Sequence, residues 1–189
     1  MKQTLRKQFL QHRNNLPVKE IAEKSSKICE SIINLPQFIK CDTIFTYQSF
    51  GSEVDTKLLI EHAWNTGKKV CIPKVADKNK MDFYFIKKGQ PLKENTYGIL
   101  EPTEEEGSAF ALPDEKSIFI IPGLAFDKNG YRIGYGAGYY DFYFAKHKPK
   151  LKIGICFDFQ VTDNAYPDSH DIPVSVIVTE KRIIELYDQ

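Results

Sequence analysis

Five of the chain's 11 glycines crowd into the 21 residues from Ile121 to Asp141. Gly134, Gly136 and Gly138 alternate there, and Tyr139, Tyr140 and Asp141 follow directly. Glycine lets backbone pass close to a ligand. Such a run can therefore turn successive amide N–H groups toward one anion, and a helix opening at Tyr139 would add the positive end of its dipole. Arg132 brings a planar cationic fork suited to phosphate oxygens. The run lacks the GK[ST] of a Walker A loop, and its GxGxG spacing is not GxGxxG. A glycine-rich turn with no ligand accounts for the bare spacing equally well.

Other residues could join this chemistry from a distance. Lys2 and Arg6 lie one helical turn apart, either as a solvated basic face or as anion contacts. Glu53 sits in a turn after an apolar run, either as an exposed loop acid or as a cap for a helix near Asp55. Asp141 and Asp171 are candidate metal ligands, because Mg2+ needs only one or two carboxylates beside phosphate oxygens and water. Either could equally be a cap or a loop acid. Asp127, just ahead of Asn129-Gly130, reads as a structural Asx residue. His170 reads as an ordinary loop histidine.

The elements that must position these residues alternate in type. Residues 2–14 and 17–35 read as helices, the second with Ile21, Ala22, Ser25, Ile28, Cys29 and Ile32 at helical spacing. Ile44–Tyr47 reads as a strand. Residues 55–66 form an amphipathic helix with Leu58, Leu59, His62 and Ala63 inward, and Gly67 stops it. Val70–Pro73 is the next strand, making a parallel pair with the first. Residues 82–86 are a strand, 87–114 a loop-rich stretch, and Ser117–Pro122 a fully apolar strand suited to a central parallel position. After the glycine-rich run, Tyr139–His147 is a helix. Residues 152–157, 174–178 and 183–186 are strands. This order predicts an α/β fold: a single Rossmann-like domain, three layers deep, around a mostly parallel sheet. Ligands of such folds sit beyond the carboxyl ends of the strands, where the motifs above fall.

Composition narrows the function classes. The net charge is +1 and 42% of residues are apolar, which argues for a sizeable core and against a general nucleic-acid or membrane-surface binder. The four cysteines, Cys29, Cys41, Cys71 and Cys156, form no CxxC or CxxH pair and read as buried reduced thiols. No signal peptide or long apolar span is visible, so the expectation is a cytoplasmic protein with no nucleic-acid or membrane partner, as a monomer or weak homo-oligomer.

The block Pro122–Asp141, PGLAFDxxGxRxGxGxGYYD, resembles the signature of the 5-formyltetrahydrofolate cyclo-ligase family. The resemblance extends along the chain through Lys2 and Arg6 in a KxxLR-like segment, residues 51–56, Gly98–Pro102 and His170–Pro173. It implies an ATP- and Mg2+-dependent cyclisation of 5-formyltetrahydrofolate to 5,10-methenyltetrahydrofolate, with release of ADP and phosphate. It further implies ATP contacts from Lys2, Arg6, Arg132, Ile133, Gly134, Tyr135, Gly136, Ala137, Gly138, Tyr139 and Tyr140. Folate contacts are implied for Gln48, Ser49, Phe50 and Glu53, and for Tyr135 to Tyr139 of the glycine loop. Arg132 and Tyr139 are the implied catalytic pair, and Asp141 and Asp171 the implied Mg2+ ligands. Tyr135, Ala137 and Phe142 stand where relatives often carry a basic residue, and Ser175 where an acid is expected. A sugar-phosphate isomerase-like or coenzyme-A-transferase-like enzyme, with Glu53 as base, and a non-catalytic folate binder are the other readings.

Overall fold

The computed structural model describes residues 1–77, 80–103 and 110–186. Helices α1 (Lys2–Asn14), α2 (Val18–Ile33) and the short α3 (Pro36–Lys40) precede strand β1 (Thr43–Phe45). Then come α4 (Lys57–Asn65), β2 (Lys69–Asp77), β3 (Lys80–Ile86), β4 (Leu92–Glu94), β5 (Leu100–Pro102) and β6 (Phe110–Ala111). The second half holds β7 (Ser117–Pro122), β8 (Ala125–Asp127), β9 (Arg132–Ile133), α5 (Tyr139–His147), β10 (Leu151–Ile155), β11 (Val161–Thr162), β12 (Val176–Val178) and β13 (Ile183–Glu185).

The main sheet has the order β13-β12-β10-β7-β1-β2-β3-β6. Its five central strands, β12 to β2 in that order, pair in parallel. Antiparallel strands close both edges. The expected α/β fold is therefore present, with a mostly parallel centre and antiparallel margins that the residue pattern did not announce. Alternation along the strands sends side chains to two cores. On one face Ile44, Val70, Ile118, Ile120 and Ile153 pack under α2, α3 and α4. On the other, Phe45, Cys71, Phe119 and Ile121 pack against Tyr143 and Phe144 of α5. A stacked and edge-on group of Phe45, Phe83 and Phe119 fills that second core.

Several expected details change. The inward face of α4 is Leu59, Ile60 and Ala63, whereas Leu58 is 41% exposed. The helix begins two residues later than predicted, behind Thr56, whose hydroxyl is committed to the Tyr47 carbonyl at 2.7 Å. The helix expected over 17–35 ends at Ile33, and Pro36 opens a separate helical turn. Strand β2 runs to Asp77 because β3 pairs along its length. The stretch 87–114 is not all loop: its described part holds the β4–β5 hairpin and β6, while 104–109 lie outside the described residues. The glycine-rich run contains β8 and β9, which join β11 in a small separate sheet. Asp127 is buried and accepts from the amides of Asn129, Tyr131 and Ala165 at 2.9–3.0 Å. It is the structural Asx residue expected. All four cysteines are free and buried.

Candidate functional site

A pocket of about 230 Å³ opens where the chain leaves the carboxyl end of β7. It gathers four separate parts of the sequence: Lys2 and Arg6 of α1, the turn at Gly123, the stretch Arg132 to Asp141, and the loop carrying Asp168, His170 and Asp171. Lys2 and Arg6 face it together because four residues bring α1 round by about one turn. Helix α1 rests through Leu5, Phe9 and Leu10 on a small cluster of Leu124, Ala125, Ile133 and Ala165. That seating aims the helix at the glycine loop.

The loop itself is open. Tyr135, Gly136 and Ala137 are exposed and Gly134 and Gly138 half-buried. Among the described residues, the amides of Tyr135, Gly136, Ala137 and Gly138 donate no hydrogen bond. Gly136 has φ +106° and Gly138 φ +71°, backbone that L side chains rarely adopt. Gly138 caps α5, whose first-turn residues Tyr139, Tyr140 and Asp141 line the same pocket and whose first N–H groups have no partner within the helix. Arg6 anchors the loop from α1: its Nε donates to the Gly134 carbonyl at 2.9 Å.

The charged side chains hold one another in place. Arg132 Nη2 donates to Asp141 Oδ2 at 2.8 Å, and its guanidinium sits 5.2 Å from the centroid of the Tyr140 ring. Arg132 Nη1 is buried with no partner among the described residues. A buried guanidinium nitrogen without an acceptor is uncommon in folded proteins. Asp141 Oδ1 accepts from the Ile172 amide at 3.1 Å. Lys2 Nζ lies between Asp171 Oδ2, at 2.6 Å, and Asp168 Oδ2, at 3.0 Å. Burial works against the Lys2 ammonium, but the hydrogen bonds and charge of the two aspartates hold its pKa above the ordinary value. Burial likewise opposes ionisation of Asp171, yet Lys2 and the Asp168 amide hold its carboxyl below the usual range.

For a divalent cation the donor chemistry is favourable. Asp168, His170 and Asp171 place ligating atoms within 4.8 Å of one another. Two carboxylates already converge on one positive charge, the Lys2 ammonium. Asp141 lines the same pocket but stands outside this group, with both oxygens engaged. His170, expected to be an ordinary loop residue, is exposed beside Asp171. Asp168 was not legible from the sequence, where it is one of many loop acids.

The four residues expected to meet folate sit apart, in the loop after β1. Gln48 and Ser49 are half-buried and Phe50 exposed. Glu53 Oε2 accepts from the Phe50 amide at 3.0 Å, so it shapes its own loop. Burial pushes the Glu53 carboxyl up, against the lowering effect of that amide and of Arg13. Tyr47 fastens the loop base, its hydroxyl donating to the Val54 carbonyl at 2.9 Å. None of these four residues lines the pocket that holds Arg132. The link between the two regions is Tyr135, which lines the pocket and whose hydroxyl lies 3.4 Å from Glu53 Oε1. Tyr139 lines the pocket. Tyr140 joins it to the second core, and burial pushes its hydroxyl pKa up. Ile133 is buried and carries the loop rather than facing the cleft.

Comparison with known proteins gives this geometry relatives. A family model described as the 5-formyltetrahydrofolate cyclo-ligase family matches residues 1–180. A protein of Schizosaccharomyces pombe named a probable 5-formyltetrahydrofolate cyclo-ligase is 32% identical, over 87% of both chains. The 5-formyltetrahydrofolate cyclo-ligase of Haemophilus influenzae is 28% identical, covering 92% of this chain and 94% of its own. Among solved structures, the 5,10-methenyltetrahydrofolate synthetase of Aquifex aeolicus superposes with a TM-score of 0.85 at 35% identity, over 100% of this chain and 94% of that one. The corresponding protein of Mycoplasma pneumoniae gives a TM-score of 0.76 at 26% identity, over 95% and 98%.

Proposed function

The chain belongs to the 5-formyltetrahydrofolate cyclo-ligase family, and from that premise we propose that it uses ATP to close 5-formyltetrahydrofolate into 5,10-methenyltetrahydrofolate. The observation that carries the site assignment is the exposed glycine loop, whose four unpaired amides stand beside Lys2, Arg6 and Arg132 in one pocket. The family match over residues 1–180 supports treating the chain as one cyclo-ligase domain. Among the described residues no helix is long and apolar enough to cross a membrane, in keeping with the cytoplasmic setting we infer.

The formyl group on N5 is an amide, and nitrogen donation makes it a poor electrophile. Its oxygen attacks the γ-phosphorus of ATP, and ADP leaves with the electrons of the broken P–O bond. N10 then adds to the activated carbon, loses its proton to solvent, and inorganic phosphate departs with the C–O electrons. Such chemistry asks the protein chiefly for alignment and charge neutralisation. The amides of Tyr135 to Gly138 cradle phosphate oxygens, with Arg6 and Lys2 from α1 and the free Nη1 of Arg132 beside them. Tyr139 lies at the reacting end of this cradle. Glu53, with Gln48, Ser49 and Phe50, holds the donor-rich edge of the pterin.

Asp171 and Asp141 are the proposed Mg2+ ligands, Asp141 once it is freed from Arg132 or the Ile172 amide, and Asp168 and His170 offer further donor atoms beside Asp171. Mg2+ held there would supply charge neutralisation to the polyphosphate, and Lys2, held by Asp168 and Asp171, stands in that pocket as a further cation. The test is spectroscopic. The protein with Mg-ATP and 5-formyltetrahydrofolate should generate the absorbance of the conjugated methenyl product, and mixtures lacking ATP should not. A flat trace in the complete mixture, with the folded protein verified by circular dichroism, rejects the proposal.

A further inference from the structure

Arg13 lies in the last turn of α1 and only 3% of it is exposed. Among the described residues it has no carboxylate partner within ion-pair distance. Its guanidinium instead spans two segments. Nε donates to Ser52 Oγ in the loop after β1, at 3.1 Å. Nη2 donates to the hydroxyl of Tyr135 in the glycine loop, at 2.5 Å. Ser52 Oγ donates in turn to Asn14 Oδ1 at 2.5 Å, tying that loop back to α1.

The Tyr135 hydroxyl is thereby oriented. Arg13 has only donors, so it must occupy an oxygen lone pair, and the hydroxyl proton is left to point at Glu53 Oε1, 3.4 Å away. A cation, a hydroxyl and a carboxylate thus run in line from α1 to the loop assigned to folate. Two turns earlier on the same helix, Arg6 holds the Gly134 carbonyl at 2.9 Å. Adjacent residues of the glycine loop are therefore clamped by two arginines of one helix, one through the backbone and one through a side chain.

We propose that Arg13 is a positioning residue that couples the two substrate sites, fixing Tyr135 so that filling the phosphate cradle also sets Glu53 for folate. The proposal rests on the cyclo-ligase reading. Phosphate bound to the amides around Tyr135 immobilises the residue whose hydroxyl faces Glu53. By linkage, folate held at Glu53 must favour the nucleotide by the same factor. This matters because the γ-phosphorus and the formyl oxygen have to meet in one geometry.

The experiment measures 5-formyltetrahydrofolate affinity by calorimetry, with and without a saturating non-hydrolysable ATP analogue and Mg2+. In the native chain the analogue should tighten folate binding at least about fivefold, the lower end of ordinary coupling. In Tyr135→Phe the factor should fall below about twofold, because the ring stays and only the relay atom goes. Arg13→Lys, which lacks the fork, should lose it too, and the double variant should be no worse than either single one. A purely structural role would weaken both ligands while leaving the factor at its native value. Because Tyr135 is 58% exposed, its phenylalanine variant decides the matter even if the buried Arg13 variant folds poorly. If the native chain binds both ligands without coupling, or Tyr135→Phe keeps the native factor, the inference is overturned and the cyclo-ligase reading stands. If the native chain binds neither ligand, both are overturned.

Discussion

Arg132 is the residue on which the chemistry leans most. Its side chain is 7% exposed, one nitrogen is spent on Asp141, and another is buried with no partner among the described residues. Arg132→Ala should lower turnover by about 10²–10³-fold, the usual loss for one preorganised donor, while the melting transition stays cooperative. Retention of more than about a tenth of native turnover would assign the arginine to packing. Glu53 offers a test of a different kind. Because burial raises its pKa, the folded chain holds the proton to higher pH than the unfolded chain, whose glutamates ionise near about 4.3. That contribution is complete below the unfolded value and is lost as pH rises through the folded one. Glu53→Gln should therefore melt higher than the native chain at pH 7, with the gain vanishing near pH 4. An offset that ignores pH would mean the carboxyl titrates normally. The glycine loop and Arg132 stood out in the sequence through alternating glycines beside an arginine, a spacing that a plain turn also produces, and the family resemblance is what marked them as a site. Arg13 and Asp168 were not. Nothing near either in sequence shows that a distant tyrosine or lysine will fold against it.

At the scale of elements, glycines of like backbone should behave differently according to what surrounds them. Gly67, beyond the end of α4, has φ +77° and open space where a Cβ would go. Gly130, in the β8–β9 turn, has φ +86°, and its Cβ would stand 2.5 Å from the Val174 carbonyl oxygen. Left-handed strain alone costs about 1–2 kcal/mol, and forcing an atom into filled space adds about 1–3 kcal/mol. Gly67→Ala should thus lose about 1 kcal/mol in urea unfolding and Gly130→Ala about 3 kcal/mol or more. Equal losses would show that the turn yields. Most helices and central strands could be read from periodicity. The small β8–β9–β11 sheet could not, because strands of two or three residues are too short to show a period. The face of α4 was misjudged for a related reason: its apolar run Leu58-Leu59-Ile60 fits more than one orientation, and packing of Leu59, Ile60 and Ala63 into the first core is seen only in the fold.

For the molecule as a whole, four thiols report on the two cores. Burial pushes Cys29 up to about 12 and raises Cys71 and Cys156 as well, so thiolate is scarce while the chain is folded. A disulfide-exchange reagent should label no cysteine of the native protein within minutes and all four in denaturant. Rapid labelling of even one under native conditions would place it on a segment that opens locally. The parallel centre of the sheet followed from the strand–helix–strand order and the apolar run of β7. The antiparallel margins depend on pairings between segments whose own sequences do not distinguish a parallel neighbour from an antiparallel one.

Helix α1 has a consequence at this same scale. It carries Lys2, Arg6 and Arg13, and it is seated mainly on the minor cluster around Leu124 and Ile133, with His12 stacked on Phe159 at the margin of the first core. Peeling it away would strip Lys2 and Arg6 from the cleft and Arg13 from Tyr135 beside it, while the strand pairings of the eight-stranded sheet involve no residue of α1. Competence to bind and integrity of the fold are therefore separable, and nucleotide would serve as the latch on that helix. Amide protons of residues 6–14 should exchange far more slowly once the cleft is filled, while those of β7 and β10 barely change.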